Sequence, residues 1–197
     1  MKVRLIAWGL VAAAALAGCS SPEIPPIDST IPPPSGPVAS RSLPPVTHMW
    51  SVASVKCPEL TVAAAQRLKV GGRGTETRSS GSENFSKIVE CRWGPEDRSG
   101  ISVTAKLSVW ANQAGADAGW QIVSTALVKP EPLAGVGEEA FASQPLDLLG
   151  VQVDVRTGNA YATIHLVPAA GAAGGDAELR EAAAAIAGDI IDELVPA

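Results

Sequence analysis

The stretch "ISVTAKLSVW", residues 101–110, decides the fold. Ile101, Val103, Ala105, Leu107 and Val109 fall on one side of an extended chain, and Ser102, Thr104, Lys106 and Ser108 fall on the other. Strict alternation of this kind belongs to a strand with one face on a core and one face in water. Such a sheet face must be covered by another layer.

The flanking segments supply strands and helices. Upstream, "FSKIVECRW" places Phe85, Val89, Cys91 and Trp93 on one strand face. Before it, "GGRGTETRSSGSEN" reads as a loop, and "PELTVAAAQRLKV" as a helix with Leu60, Ala64 and Leu68 on one side, stopped by Gly71-Gly72. Downstream, "QAGADAGWQIVSTALV" predicts a helix with Ala116, Trp120, Val123 and Leu127 inward, against the weak helix propensity of Gly115 and Gly119. "GVGEEAFAS" reads as a loop entering a short strand. "VQVDVR" and "AYATIHLV", joined by Thr157-Gly158-Asn159, form a hairpin pattern. A last amphipathic helix carries Leu179, Ala183, Ile186, Ile190 and Leu194 on one stripe. The order α-β-β-α-β-β-β-α predicts an α+β fold: a single antiparallel sheet with helices packed on one face, an α/β sandwich with one disulfide.

That domain is expected to occupy residues 48–197. Residues 1–18 read as a lipoprotein signal peptide, with Lys2 and Arg4 before the apolar run Leu5 to Ala15. Leu16-Ala17-Gly18-Cys19 matches the bacterial lipobox, which implies a diacylglyceryl group on the Cys19 thiol and palmitate-type acylation. Residues 19–47 form the lipidated N-terminus and a linker in which residues 20–47 hold nine of the sixteen prolines. Proline fixes φ and offers no amide donor, so this stretch stays extended, with a reach of at most about 85 Å. The expected location is the outer face of the cell membrane, held by acyl chains rather than a spanning helix.

With Cys19 acylated, Cys57 and Cys91 remain in an oxidising compartment, which favours a disulfide between them. The bridge closes a 35-residue loop counting both ends, for which the chain-entropy model gives ~3.8 kcal/mol. A metal site would need further ligands, and the only histidines, His48 and His165, lie far from both cysteines in sequence. No metal and no cofactor is expected.

The whole chain carries −5. Loss of residues 1–18 removes only Lys2 and Arg4 among charged residues, leaving 13 of 15 basic residues against 20 acidic, a net −7. That balance, without a basic stripe, argues against nucleic acid as a partner. No Gly-x-Ser-x-Gly is present. His165 shares a strand face with Tyr161 and Thr163, and Asp154 on the partner strand is the acid that would orient it in a surface hydrolase, the enzymatic alternative. Arg73 and Arg78, in the Gly-rich stretch, are candidates for holding an anionic group. Trp110 follows Val109 and points away from the core, which makes it the candidate for an outer groove.

"CPELT" at 57–61, "CRW" at 91–93, "AGVGEEAFA" at 134–142, "VRTGNA" at 155–160 and the closing Ala-rich helix together resemble the actinobacterial envelope lipoproteins grouped as domain of unknown function 3558. The resemblance implies a secreted, membrane-anchored domain with Cys57 bridged to Cys91, and it implies no activity. The expectation is a non-enzymatic envelope lipoprotein that binds an apolar or glycan ligand or docks on another envelope protein. A further alternative is an extracellular sensor-like domain.

Overall fold

A computed structural model describes residues 48–97, 99–145, 149–170 and 176–197. Cys19, the signal peptide and the Pro-rich linker lie outside the described residues. Within them the chain forms β1 (Glu59–Leu60), α1 (Ala63–Arg67), β2 (Gly72–Arg73), β3 (Thr75–Ser82), β4 (Ser86–Trp93), β5 (Ser102–Trp110), α2 (Gln113–Thr125), β6 (Glu131–Pro132), β7 (Glu139–Ser143), β8 (Val151–Thr157), β9 (Ala160–Val167) and α3 (Asp176–Asp192).

The expected single sheet is corrected to two. β1 and β2 pair by themselves, and seven antiparallel strands form the main sheet in the order β3-β4-β5-β9-β8-β7-β6. The reason lies in residues 58–73. The helix expected over this stretch is cut to Ala63–Arg67, because Glu59 and Leu60 pair with Arg73 and Gly72. The start of α1 is satisfied from a distance: Asp189 of α3 accepts from the backbone N–H of Thr61 at 2.6 Å and of Val62 at 3.0 Å. Cys57 and Cys91 are joined, with a Cα–Cα distance of 5.6 Å, and the bridge ties the start of this segment to β4.

The placement of helices on one face is also corrected. One sheet face carries Val89, Val103, Leu107, Val153, Ile164 and Leu166, all buried against the α3 residues Leu179, Ala183, Ile186 and Ile190. Burial of each Leu or Ile in that stripe contributes about 1.5–3 kcal/mol. α2 packs on the other face. Its Trp120 meets Phe141 and Tyr161 at ring-centroid distances of 6.2 and 6.3 Å. Phe141 and Tyr161 alternate with Ala140, Ala142, Ala160 and Ala162, which belong to the α3 side.

The two glycines that weaken α2 as a helix are what let it lie there. A Cβ on Gly115 would stand 2.7 Å from the Trp110 ring, and one on Gly119 would stand 3.0 Å from Tyr161 and 3.1 Å from Trp110. The helix starts at Asn112, whose side chain accepts from the Gly115 N–H at 2.9 Å. It is then locked by charge. Arg156 of β8 is fully buried, 3.0 Å from Asp117 of α2, 3.6 Å from Glu138 and 4.0 Å from Glu139. Glu139 also accepts from the Trp120 indole N–H at 2.7 Å.

The hairpin turn fastens the entering chain. Gly158, at φ 52°, passes so close to the His48 carbonyl that a Cβ would clash at 1.8 Å. Asn159 is buried; it accepts from the Trp50 N–H at 2.6 Å and donates to the Trp50 carbonyl at 3.0 Å. Trp50 also bridges to Pro196, so both ends of the described chain meet at the β8–β9 tip. Among the described residues, no helix is long and apolar enough to cross a membrane.

Gly119→Ala tests the helix seat. A glycine-to-alanine change in an exposed helix gains up to about 1 kcal/mol, but here overpacking against Tyr161 and Trp110 is expected to destabilise the protein by about 1–3 kcal/mol. Urea denaturation of the variant would read this directly, and a gain in stability would refute the packing. Arg156→Met leaves three carboxylates around an apolar side chain and is expected to cost about 3–5 kcal/mol on the same measurement.

Candidate functional site

α2 covers only one end of its sheet face. Beyond Tyr161 and Arg156 the strands present polar side chains in two cross-strand rows. One runs Arg78, Glu90, Lys106, Thr163, Asp154; the next runs Thr75, Arg92, Thr104, His165, Gln152. Thr104 and Lys106 are the water-facing members of the alternating stretch that predicts β5. A bulge between Glu76 and Arg78 brings Arg78 onto this face, and Thr77 donates to the Glu90 carbonyl at 3.1 Å. Opposite charges directly across antiparallel strands stabilise such a face by about 0.2–1 kcal/mol per pair. A depression of about 350 Å³ lies over these rows, lined by Thr77, Glu90, Arg92, Lys106, Thr163 and His165 among others.

His165 and Asp154 share the face, as the sequence pattern implies, but they do not touch. Gln152 stands between them: its amide donates to Asp154 Oδ2 at 2.6 Å, and its carbonyl oxygen lies 2.7 Å from His165 Nε2. With the Gln152 amide nitrogen on Asp154 and its oxygen toward His165, a proton on the imidazole Nε2 satisfies the contact. Thr163 completes the set by donating to Asp154 Oδ1 at 2.6 Å. Burial pushes the Asp154 carboxyl above its ordinary range, partly offset by the hydrogen bonds from Thr163 and Gln152. Burial lowers the His165 imidazole, which keeps it neutral at neutral pH.

The direct His165–Asp154 contact expected in the hydrolase alternative is absent here. A nucleophilic triad needs a hydroxyl or thiol on the histidine and a carboxylate behind it. Here the hydroxyl of Thr163 is bonded to Asp154, and the partner of His165 is an amide. No group of three or more His, Cys, Asp or Glu able to hold a metal occurs among the described residues.

The remaining sequence candidates separate. Arg73 sits in β2 and lines a second cavity, of about 210 Å³, together with Lys69, Thr75, Thr77, Arg92 and Glu96. Arg78 is in β3 beside Glu90 and does not line that cavity. Thr77 and Arg92 belong to both cavities, so the two adjoin. Trp110 is half-buried rather than free: α2 covers it through Gly115 and Gly119, and the exposed Phe85 packs edge-on against it at 5.3 Å. Sequence reasoning missed Lys106, Thr104 and Gln152 as site residues. Their signal was present as the polar half of the alternation, which reads equally well as a solvated face.

No protein-family model, curated protein or solved structure matches this chain.

The lowered His165 value carries a pH dependence. Below about pH 6.5 the unfolded chain takes up a proton at this residue before the folded one does, so folding stability falls as pH drops through that range. Asp154, raised by burial, works in the opposite sense. Urea midpoints of the parent and of His165→Gln, compared between about pH 7.5 and pH 5, isolate the histidine. The parent is expected to lose more stability on acidification than the variant, and parallel curves would refute the assignment.

Proposed function

We propose that this protein is a membrane-anchored, non-catalytic envelope domain, of the kind its sequence resembles, which binds a glycan on the open polar face of its main sheet. The observation that carries this reading is the asymmetry of the sheet. One face is filled by α3. The other is left open beyond α2, where every member of the two rows except the buried Asp154 keeps some exposed surface and the hydroxyl, amide and charged groups stand in register. Sugars offer dense hydroxyl donors and acceptors, and such a surface pairs with them without the desolvation cost that an apolar ligand would impose on Glu90, Lys106 and Arg92.

An apolar cargo between helix and sheet is the weaker form of the idea. The side chains at that interface, Ala183, Ile186, Val153, Ile164 and Leu166, have no exposed surface and already fill it.

Direction supports the anchored arrangement. The chain enters the domain at Trp50, against Asn159 and Thr157. His165, six residues along β9 from Asn159, is about 20 Å away along the strand at ~3.3 Å per residue. A tether attached before residue 48 therefore joins one end of the strands while the polar rows stand at the other. The Cys57–Cys91 bridge suits an oxidising compartment, which agrees with export.

Two measurements test the reading. Cys19→Ser is expected to move the protein from the membrane fraction to the soluble one and to abolish palmitate labelling; retention in the membrane fraction would refute the anchor. Titration of the isotope-labelled protein with envelope polysaccharide fractions is expected to shift the amide resonances of Thr104, Lys106, Thr163 and His165. Shifts confined to other surfaces, or none, would overturn the glycan site.

A further inference from the structure

The second cavity has a composition unlike the rest of an acidic domain. Lys69, Arg73 and Arg92 line an open depression of about 210 Å³, with the hydroxyl-bearing Thr75 and Thr77 beside them. That is room for several waters, since one water needs about 10–15 Å³ by the same kind of measure. The side chains of Lys69 and Arg73 make no hydrogen bond or ion pair among the described residues, whereas Arg92 is paired to Glu96.

Lys69 is there at a conformational cost. It is one of two non-glycine residues with positive φ among the described residues, at 59°. It stands just past the Leu68 C-cap of α1, where a left-handed residue ends the helix. Glycine or asparagine is the usual occupant of that position, and a residue with a longer side chain gives up about 1 kcal/mol or more there. A cation just past a helix C-terminus is favoured by the helix dipole. What the lysine adds is a cation at the cavity, and strain of this kind gathers where a side chain is needed for binding.

Glu96 shows what the cavity accepts. Its carboxylate is bonded to the Arg92 guanidinium, and its side chain is 81% exposed. An exposed pair of this sort contributes at most about 1 kcal/mol, so an external anion can displace it. The Glu96 carboxylate thus stands in for the oxyanion of a ligand.

We propose that this cavity receives an oxyanion borne by a sugar, a uronate carboxylate or a sugar phosphate, so that the glycan on the open face is an acidic one. The sugar part rests on the glycan reading above; the anion site rests on the three cations alone. Arg92 and Thr77 join the two cavities, which lets one saccharide place its charged group on Lys69, Arg73 and Arg92 and its hydroxyls toward Thr104 and His165.

The test is titration of the full-length protein in detergent micelles with glucuronate, glucose 6-phosphate, inorganic phosphate and glucose, followed by the amide resonances of residues 69–75 and 92–96. Saturable shifts with glucuronate or glucose 6-phosphate are expected, weakening as salt is raised. Arg73→Gln is expected to weaken binding about tenfold by removing one charge-assisted contact. Glu96→Gln is expected to strengthen it about threefold by removing the internal competitor. Both residues are on the surface, so melting curves should match the parent and separate binding from folding. No saturable shift with any anion, or affinity unmoved by both substitutions, overturns the site. Inorganic phosphate binding as well as glucose 6-phosphate overturns the assignment to a sugar. If neutral polysaccharide still shifts Lys106 and His165 while no anion binds, the acidic-glycan inference falls and the open-face reading stands. If anions bind here while no polysaccharide shifts the open face, the glycan reading falls and the anion site stands.

Discussion

Arg156 has no exposed surface, and a guanidinium in that state is tolerated only when carboxylates surround it. The arrangement of the second sheet face follows from meeting that demand. Asp117 must come down from α2, and Glu138 and Glu139 must come across from the start of β7, so the helix is held over the β7–β8–β9 end of the sheet. The Trp120 indole N–H then closes on Glu139, and the aromatic group of Trp120, Phe141 and Tyr161 packs around the same point. A helix of thirteen residues is about 20 Å long, and with its position set by Arg156 it leaves the Thr104–His165 end of the strands uncovered. The open face is therefore a consequence of where one buried charge is neutralised.

Elements that bury a regular stripe were legible in the sequence. β5, the β8–β9 hairpin and α3 each place apolar residues at the period of their own geometry and appear there, though α3 ends at Asp192, before the Leu194 of its expected stripe. β3 was not legible because it buries nothing: all eight of its residues are exposed, and it exists through backbone pairing with β4. A strand held only by its amides writes no hydrophobic pattern. The short α1 and the separate β1–β2 pair were missed for a different reason. Leu60 and Ala64 are buried as a helical stripe would require, but tertiary partners, Asp189 and the Cys57–Cys91 bridge, decide the local backbone. In α2, Gly115 and Gly119 argued against a helix on propensity and prove to be the condition for its packing against Trp110 and Tyr161.

The site divides along the same line. That His165 and Asp154 share one face follows from alternation and register, but that Gln152 stands between them follows from side-chain rotamers, which leave no trace in spacing. Arg73 and Arg78 look equivalent in a Gly-rich stretch. The β1–β2 pair and the bulge before Arg78 send them to different places. Lys69 carried a signal that composition hides, since a lysine following a helix end is unremarkable until its φ is known.

The cation cluster runs against the charge of the chain, and that contrast bears on how the domain meets its surroundings. The chain's net −5 repels anionic polymers at long range, but beyond a Debye length of about 8 Å salt screens this repulsion. At the depression itself the nearest charges dominate, because they stand within a Debye length of a bound anion. Lys69, Arg73 and Arg92 thus act at contact distance, where Glu96 already answers one of them. On the acidic-glycan proposal, the ligand is one whose anion reaches the cavity while its body lies on the polar rows. Under that proposal selectivity comes from the pairing of the two cavities through Arg92 and Thr77, each adding to what the other binds.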